Sequence, residues 1–428
     1  MDKICRHITV LLAIICGLAP YTRGAAIMSG NGQTDSPPFE IAAWVDSQDF
    51  SSKFDTEKAE GVKAIVDYVA GSGATLMCWR TRGGSMLTYP SKVEASLLPV
   101  MTDKRRTIIF YGPYFGYWIH YGEAQPDHFQ CAMEEIKKKG IKPVAHWTFE
   151  EAHYAGPLIG DFNLDHPQYW CRTHDGIPWH ARVSLGYEPV MQHYLDMAME
   201  VVDRGCEEIS FEFWRHGGWN PGYEYVEPVM DSYRKKYGEE PPANSKDLRW
   251  AKHVAGYRAE FLRRLRKQLA AYAHRTGRRV ELSAAIPCIA PFNDRALVEY
   301  GVDWRALVDE GLIDTLIIQS MTWDKQRPLE STRELGRSVM QAVNGRCRVL
   351  WPVMDYPFTG TGLGKYMDAT GKTQHELAAE LMQMAWEEGA DGITLECVDY
   401  GNYTDATLRA MKALRETKCT FVRKGNLK

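Results

Sequence analysis

From Ile41 onward the chain repeats one pattern: a short run of β-branched or aromatic residues, a polar loop, then a segment whose apolar residues recur at helical spacing. "IAAWVD" at 41 to 46 precedes Val62, Ile65, Val66 and Val69, an i, i+3, i+4, i+7 stripe. "ATLMCWR" (74 to 80) precedes a helix over about 126 to 139, which delivers "KPVAHW" (142 to 147). A helix over about 188 to 204 leads into "EEISFEF", and one carrying Val254, Tyr257, Phe261, Leu265 and Leu269 leads into "VELSAAIP" (280 to 287). A short helix from Asp303 to Glu310 precedes "DTLIIQSM" (314 to 321), and "RVLWPVMD" (348 to 355) follows. The "TQHE" capping box at Thr373 to Glu376 opens a helix that closes at Gly389, before "GITLECVDY" (392 to 400) and a last helix with Leu408, Met411 and Leu414. Eight alternating units are best satisfied by a closed parallel barrel, because an open sheet of eight would leave two edges to cover. The expected fold is therefore α/β, a (β/α)8 barrel with long strand-to-helix insertions at 82 to 125 and 148 to 187, rather than a doubly wound sheet.

The 428 residues suffice for such a barrel, since this fold runs from roughly 200 to more than 400 residues. A hydrophobic fraction of 45%, a charged fraction of 25% and a net charge of -4 describe an ordinary globular protein with no basic field for nucleic acid. Lys3 and Arg6 precede the apolar run "ITVLLAIICGLAP", and "GAA" at Gly24 to Ala26 offers small residues for cleavage, so the first 26 residues read as an export signal. That reading places the protein outside the cytoplasm or in a periplasm, without stable membrane insertion. Residues 27 to 39 then form a flexible segment, 40 to 418 the barrel and 419 to 428 a tail. Eight cysteines follow the signal (Cys78, Cys131, Cys171, Cys206, Cys288, Cys347, Cys397 and Cys419), with no CxxC pair to suggest zinc; spacing leaves any disulfide pairing open.

A barrel of this kind keeps its functional groups at the carboxyl ends of its strands, and side-chain alternation says which ones face the axis. In "ISFEF", outward Phe211 and Phe213 put Ser210 and Glu212 inside; in "ITLEC", outward Ile393 and Leu395 put Thr394 and Glu396 inside. Asp46, Arg80, His146, Gln319 and Asp355 end the other strands. A packed interior prefers aliphatic residues, so charged groups converging on one mouth require a reason. Facing carboxylates are the machinery of glycoside hydrolysis, one protonating the leaving oxygen and the other attacking or activating water. Glu212 is the first candidate, with Glu396 and then Asp355 as its partner. Asp46, Arg80, His146, Trp147, Glu150, Arg215, Gln319 and Trp323 are expected to bind substrate.

The insertions fit a carbohydrate. "FYGPYFGYWIHYG" holds seven aromatic rings, and Trp147, Trp170, Trp179, Trp219 and Trp323 lie in or beside the strand-to-helix loops. Such rings stack on apolar sugar faces, or else pin the loop to the barrel. "HWTFEEAH" at 146 to 153 matches no metal-binding signature, so neither metal nor cofactor is expected. "TGTGLGK" at 359 to 365 sits where phosphate-binding barrels place glycines, but no helix start is expected before Thr373, which leaves it a flexible lid.

Taken together, "FEIAAWVD", "GIKPVAHW", "CEEISFEFWR", "YGVDWRALVDEGLIDTLIIQSM" and "GADGITLEC" resemble the glycosyl-hydrolase-like ten group of barrels over most of residues 40 to 415. The resemblance implies a secreted bacterial protein related to polysaccharide-degrading glycosidases. Where that group usually carries "DFxR" at strand four, this chain has Glu212 and Arg215, an acid one methylene longer. The longer acid leaves room for a barrel that binds carbohydrate without cutting it.

Overall fold

A computed structural model describes residues 39–46, 50, 54, 58–83, 85–94, 127–149, 159–213, 221–287, 294–320, 328–352 and 362–395. The chain separates into two units, Met1–Pro37 and Pro38–Lys428; the expected export signal lies in the first, outside the described residues. Among the described residues, no helix is long and apolar enough to cross a membrane.

The second unit is a closed eight-stranded barrel. Its strands are β1 (Glu40–Val45), β2 (Leu76–Arg80), β3 (Lys142–Thr148), β4 (Glu208–Glu212), β5 (Glu281–Pro287), β6 (Thr315–Ser320), β7 (Arg348–Pro352) and β8 (Gly392–Leu395). Each pairs in parallel with the strand before it and the strand after, and β8 returns to β1 through Ile41 opposite Ile393. Because every strand has a helix-covered outer face and a side-chain-filled inner one, alternation sorts residues between two cores rather than between core and water. Ile41, Met77, Ala145, Phe211, Leu282, Leu316, Val349 and Ile393 belong to the outer core, with helix residues such as Val62, Ile65, Val66 and Val69. Ala42, Trp44, Leu76, Cys78, Val144, Ala285, Ile317 and Leu350 fill the axis.

The helices follow their apolar stripes. Ala59–Ala70 buries Val62, Ile65, Val66 and Val69, the four residues whose spacing announced it. His128–Lys138 starts at Asp127, whose carboxylate accepts from Gln130 N at 2.9 Å. Gln374–Glu387 opens with the Thr373–Glu376 capping box, and Gly389 beyond it adopts φ 81°. One expectation is corrected: the glycine-rich segment does not wait for Thr373, because Gly362–Thr370 is already helical. The insertion after β3 contains an antiparallel hairpin, Trp170–Arg172 with Pro178–Val183. The expected continuations of β7 and β8 to Asp355 and Tyr400, the expected last helix and most of the aromatic insertion fall outside the described residues. Of the cysteines, Cys78, Cys131, Cys171, Cys206 and Cys347 are described, and none is disulfide-bonded.

At the amino end the inward positions are charged: Glu40, Lys142, Glu208, Glu281 and Arg348, from five strands. Lys142 reaches Glu208 and Glu281 at 2.5 Å each, and Arg348 pairs with Glu40 and Glu281. Burial pushes the Glu40 carboxyl up to about 7 against the pull of Arg348, with Glu208 adding repulsion. Burial also works to raise Glu281, but Lys142 and Arg348 outweigh it and hold that carboxyl below the ordinary range.

Candidate active site

The opposite end is where the expected site residues gather. Glu212 ends β4 with its side chain on the axis side, fully buried at 0% exposure. Each of its contacts follows from register. Thr148 is its direct partner on β3, so both side chains sit at one level on one face, and Thr148 Oγ1 donates to Glu212 Oε2 at 3.0 Å. His146, two residues earlier on the same face, brings Nε2 to 3.2 Å from the same oxygen. On the other side the neighbour of Glu212 is Ala285, whose methyl leaves space above β5. Gln319 of β6 reaches across that space, and its Nε2 donates to Glu212 Oε1 at 3.1 Å.

Two further strands complete the cluster. Arg80, at the end of β2 and in register with His146, forms a buried ion pair with Asp46 just past β1. Its Nε donates to Arg82 O at 2.6 Å, which fixes the guanidinium, and Thr88 Oγ1 donates to Arg80 O at 3.0 Å, which fixes the main chain beneath it. Trp44 lies against His146 with ring centroids 4.3 Å apart. Asp46, Arg80, His146, Glu212 and Gln319 are thus brought to one end of the barrel. A carboxylate here has several donors to keep its position, and an imidazole within proton-transfer distance.

Trp147 is a correction. It was expected at the substrate, but it is buried in the outer core against Phe211 and Tyr194, at centroid distances of 5.6 and 6.3 Å. Adjacent residues of a strand face opposite ways, so His146 and Trp147 could not both have faced the axis. Trp44 and Thr148 were missed, although the signal was present: each is two residues from a recognised inward residue, Asp46 and His146 respectively. Glu150, Arg215, Trp323, Asp355 and Glu396 lie outside the described residues. Among the described residues, no three His, Cys, Asp or Glu side chains are grouped to hold a metal ion.

No family model matches the sequence, and no curated protein does. Solved structures do. The chain is similar to the glycoside hydrolase domain of PgaB (BpsB) from Bordetella bronchiseptica, with a TM-score of 0.55 at 10% identity over 89% of this chain and 98% of that one. It also aligns with a chitinase from Chromobacterium violaceum, at a TM-score of 0.44 and 12% identity over 88% of this chain and 98% of that one. At these identities the first likeness is one of fold, and it agrees with the closed parallel barrel traced by strand register.

Proposed function

We propose that the protein is a glycoside hydrolase acting on a polysaccharide or oligosaccharide, with Glu212 as one of its two working acids. The observation that carries this reading is a fully buried carboxylate at the carboxyl end of β4, hydrogen-bonded by Thr148 and Gln319 and with His146 Nε2 3.2 Å away. Burying a carboxylate is costly, and a stable fold does not require one at the functional end of a barrel. The likeness in fold to the PgaB glycoside hydrolase domain and the resemblance to the glycosyl-hydrolase-like ten group point the same way.

Glu396 is our first choice for the second acid. Thr394, two residues before it, faces the axis, so continued alternation would point Glu396 to the same mouth. Asp355, beyond β7, is the second choice. Asp46, Arg80 and Gln319, with Glu150, Arg215 and Trp323 from the surrounding loops, would bind sugar hydroxyls and ring faces. The leader-like first 26 residues favour a substrate met outside the cytoplasm.

The competing reading is a barrel that binds carbohydrate without cutting it. It draws on the same burial, because a carboxylate surrounded by donors resembles a structural anchor as much as an acid catalyst. Reducing-end release from a polysaccharide panel, measured for the wild type and Glu212→Gln, separates the two. Hydrolysis predicts a loss of roughly 10²- to 10⁴-fold, the usual contribution of a positioned acid or base. A variant that cuts at the wild-type rate would exclude Glu212 as a catalyst.

A further inference from the structure

Between the charged cluster at the amino end and Glu212 at the other, the barrel axis carries polar groups that have no hydrogen-bond partner among the described residues. Ser210 Oγ, Ser283 Oγ and Thr315 Oγ1 are fully buried and have no hydrogen-bond partner among the described residues; the same holds for Thr394 Oγ1 and Trp44 Nε1, at 1% and 3% exposure. All five belong to the inner face, since their strand neighbours Ile209, Phe211, Leu282, Leu316, Ile393 and Val45 belong to the outer core. A stranded buried hydroxyl costs about 1–3 kcal/mol, so several on one surface call for a common partner.

The register says what size that partner has. Ser210 is paired with Ser283, and Ser283 with Thr315, on three consecutive strands. Neighbouring strands lie about 4.8 Å apart, and these three hydroxyls do not hydrogen-bond one another. A water donating or accepting at about 2.8 Å on each side bridges about 4.5 Å. Ala42 on β1 and Ala285 on β5 are small inward residues that keep side-chain bulk low on this face. We propose that Ser210, Ser283, Thr315, Thr394 and Trp44 form an internal water site beneath Glu212. With about three hydrogen bonds per buried water, five such groups hold about two molecules. The site lies on the same strand face as Glu212, whose carboxylate begins two residues above Ser210, and it separates that acid from Glu208 two residues below. This inference stands whether or not Glu212 cleaves a glycan.

The test turns on a sign. In a dry interior, replacing Thr315 by its apolar isostere removes a stranded hydroxyl and raises the melting temperature. In a water-filled one it removes a partner of the water. We expect Thr315→Val to lower the Tm by about 1–2 °C, and water ¹⁷O relaxation dispersion to lose the signal of at least one long-lived water relative to wild type. Ser283→Ala repeats the comparison if the first variant does not fold. A variant as stable as wild type or more so, with unchanged relaxation, overturns the proposal, and where the two readouts disagree the relaxation decides.

Discussion

Glu212 owes its position to residues that sit at fixed intervals from it. Thr148 is level with it and donates at 3.0 Å, while Gln319 reaches it over the methyl of Ala285. Removing one donor while keeping its volume isolates that contribution. Thr148→Val fits a strand and adds no bulk, so it should cost about 1–3 kcal/mol in urea unfolding, the range for a hydrogen bond to a charged group or an acceptor left short of a donor. Most of this cluster is legible in the sequence because alternation is local: an outward Phe211 forces Glu212 to face in. One strand over, the same alternation turns Trp147 outward beside an inward His146 and brings Thr148 back to the axis. What alternation does not carry is distance across the barrel, so the Gln319 contact, 107 residues away in sequence, emerged only from the fold.

At the level of elements, the strands and the amphipathic helices were readable, and the pieces that failed to announce themselves are those stabilised by contacts rather than by periodicity. The hairpin Trp170–Arg172 with Pro178–Val183 is tied down by Glu224, which accepts from Cys171 Sγ at 3.2 Å and from Ser184 Oγ. No local pattern specifies such a partner about 50 residues away. The helix Pro328–Val343 holds Gly336 in its interior, where glycine ordinarily argues against a helix. Packing explains it: a Cβ at 336 would collide with the indole of Trp351, which stands outward from β7 and is 1% exposed. Gly336→Ala, stabilising by helix propensity alone, should instead destabilise by about 1–3 kcal/mol through overpacking, seen as a lower Tm. A variant with a higher Tm would mean that helix and strand do not approach so closely.

The molecule as a whole depends on closing its ring, and the charged cluster at the amino end joins five of the eight strands. Glu40 makes that closure pH-dependent. Its carboxyl stands at about 7 in the folded protein against an ordinary 4.5, so between those values the native state holds a proton that the unfolded chain releases. Stability contributed by this group therefore falls as pH rises through that window. Glu40→Gln should be more stable than wild type at about pH 8, by on the order of 1–3 kcal/mol, with the difference closing below about pH 4.5. Urea unfolding at both pH values checks it; an advantage that instead grows toward low pH would contradict the assignment. The cluster was beyond sequence reading because each of its members begins a strand, where a lone charge looks like an ordinary solvent-exposed end.

Glycoside cleavage here requires Glu212 and a second acid to meet one substrate at the open end of that ring. A crystal structure of Glu212→Gln with a bound oligosaccharide tests this directly. It should show the scissile oxygen, or the sugar carbon beside it, within hydrogen-bond reach of the residue 212 side chain, and a second carboxylate, Glu396 first, at about 5 to 9.5 Å. An oligosaccharide seated away from residue 212, or no second carboxylate within about 10 Å, would contradict it.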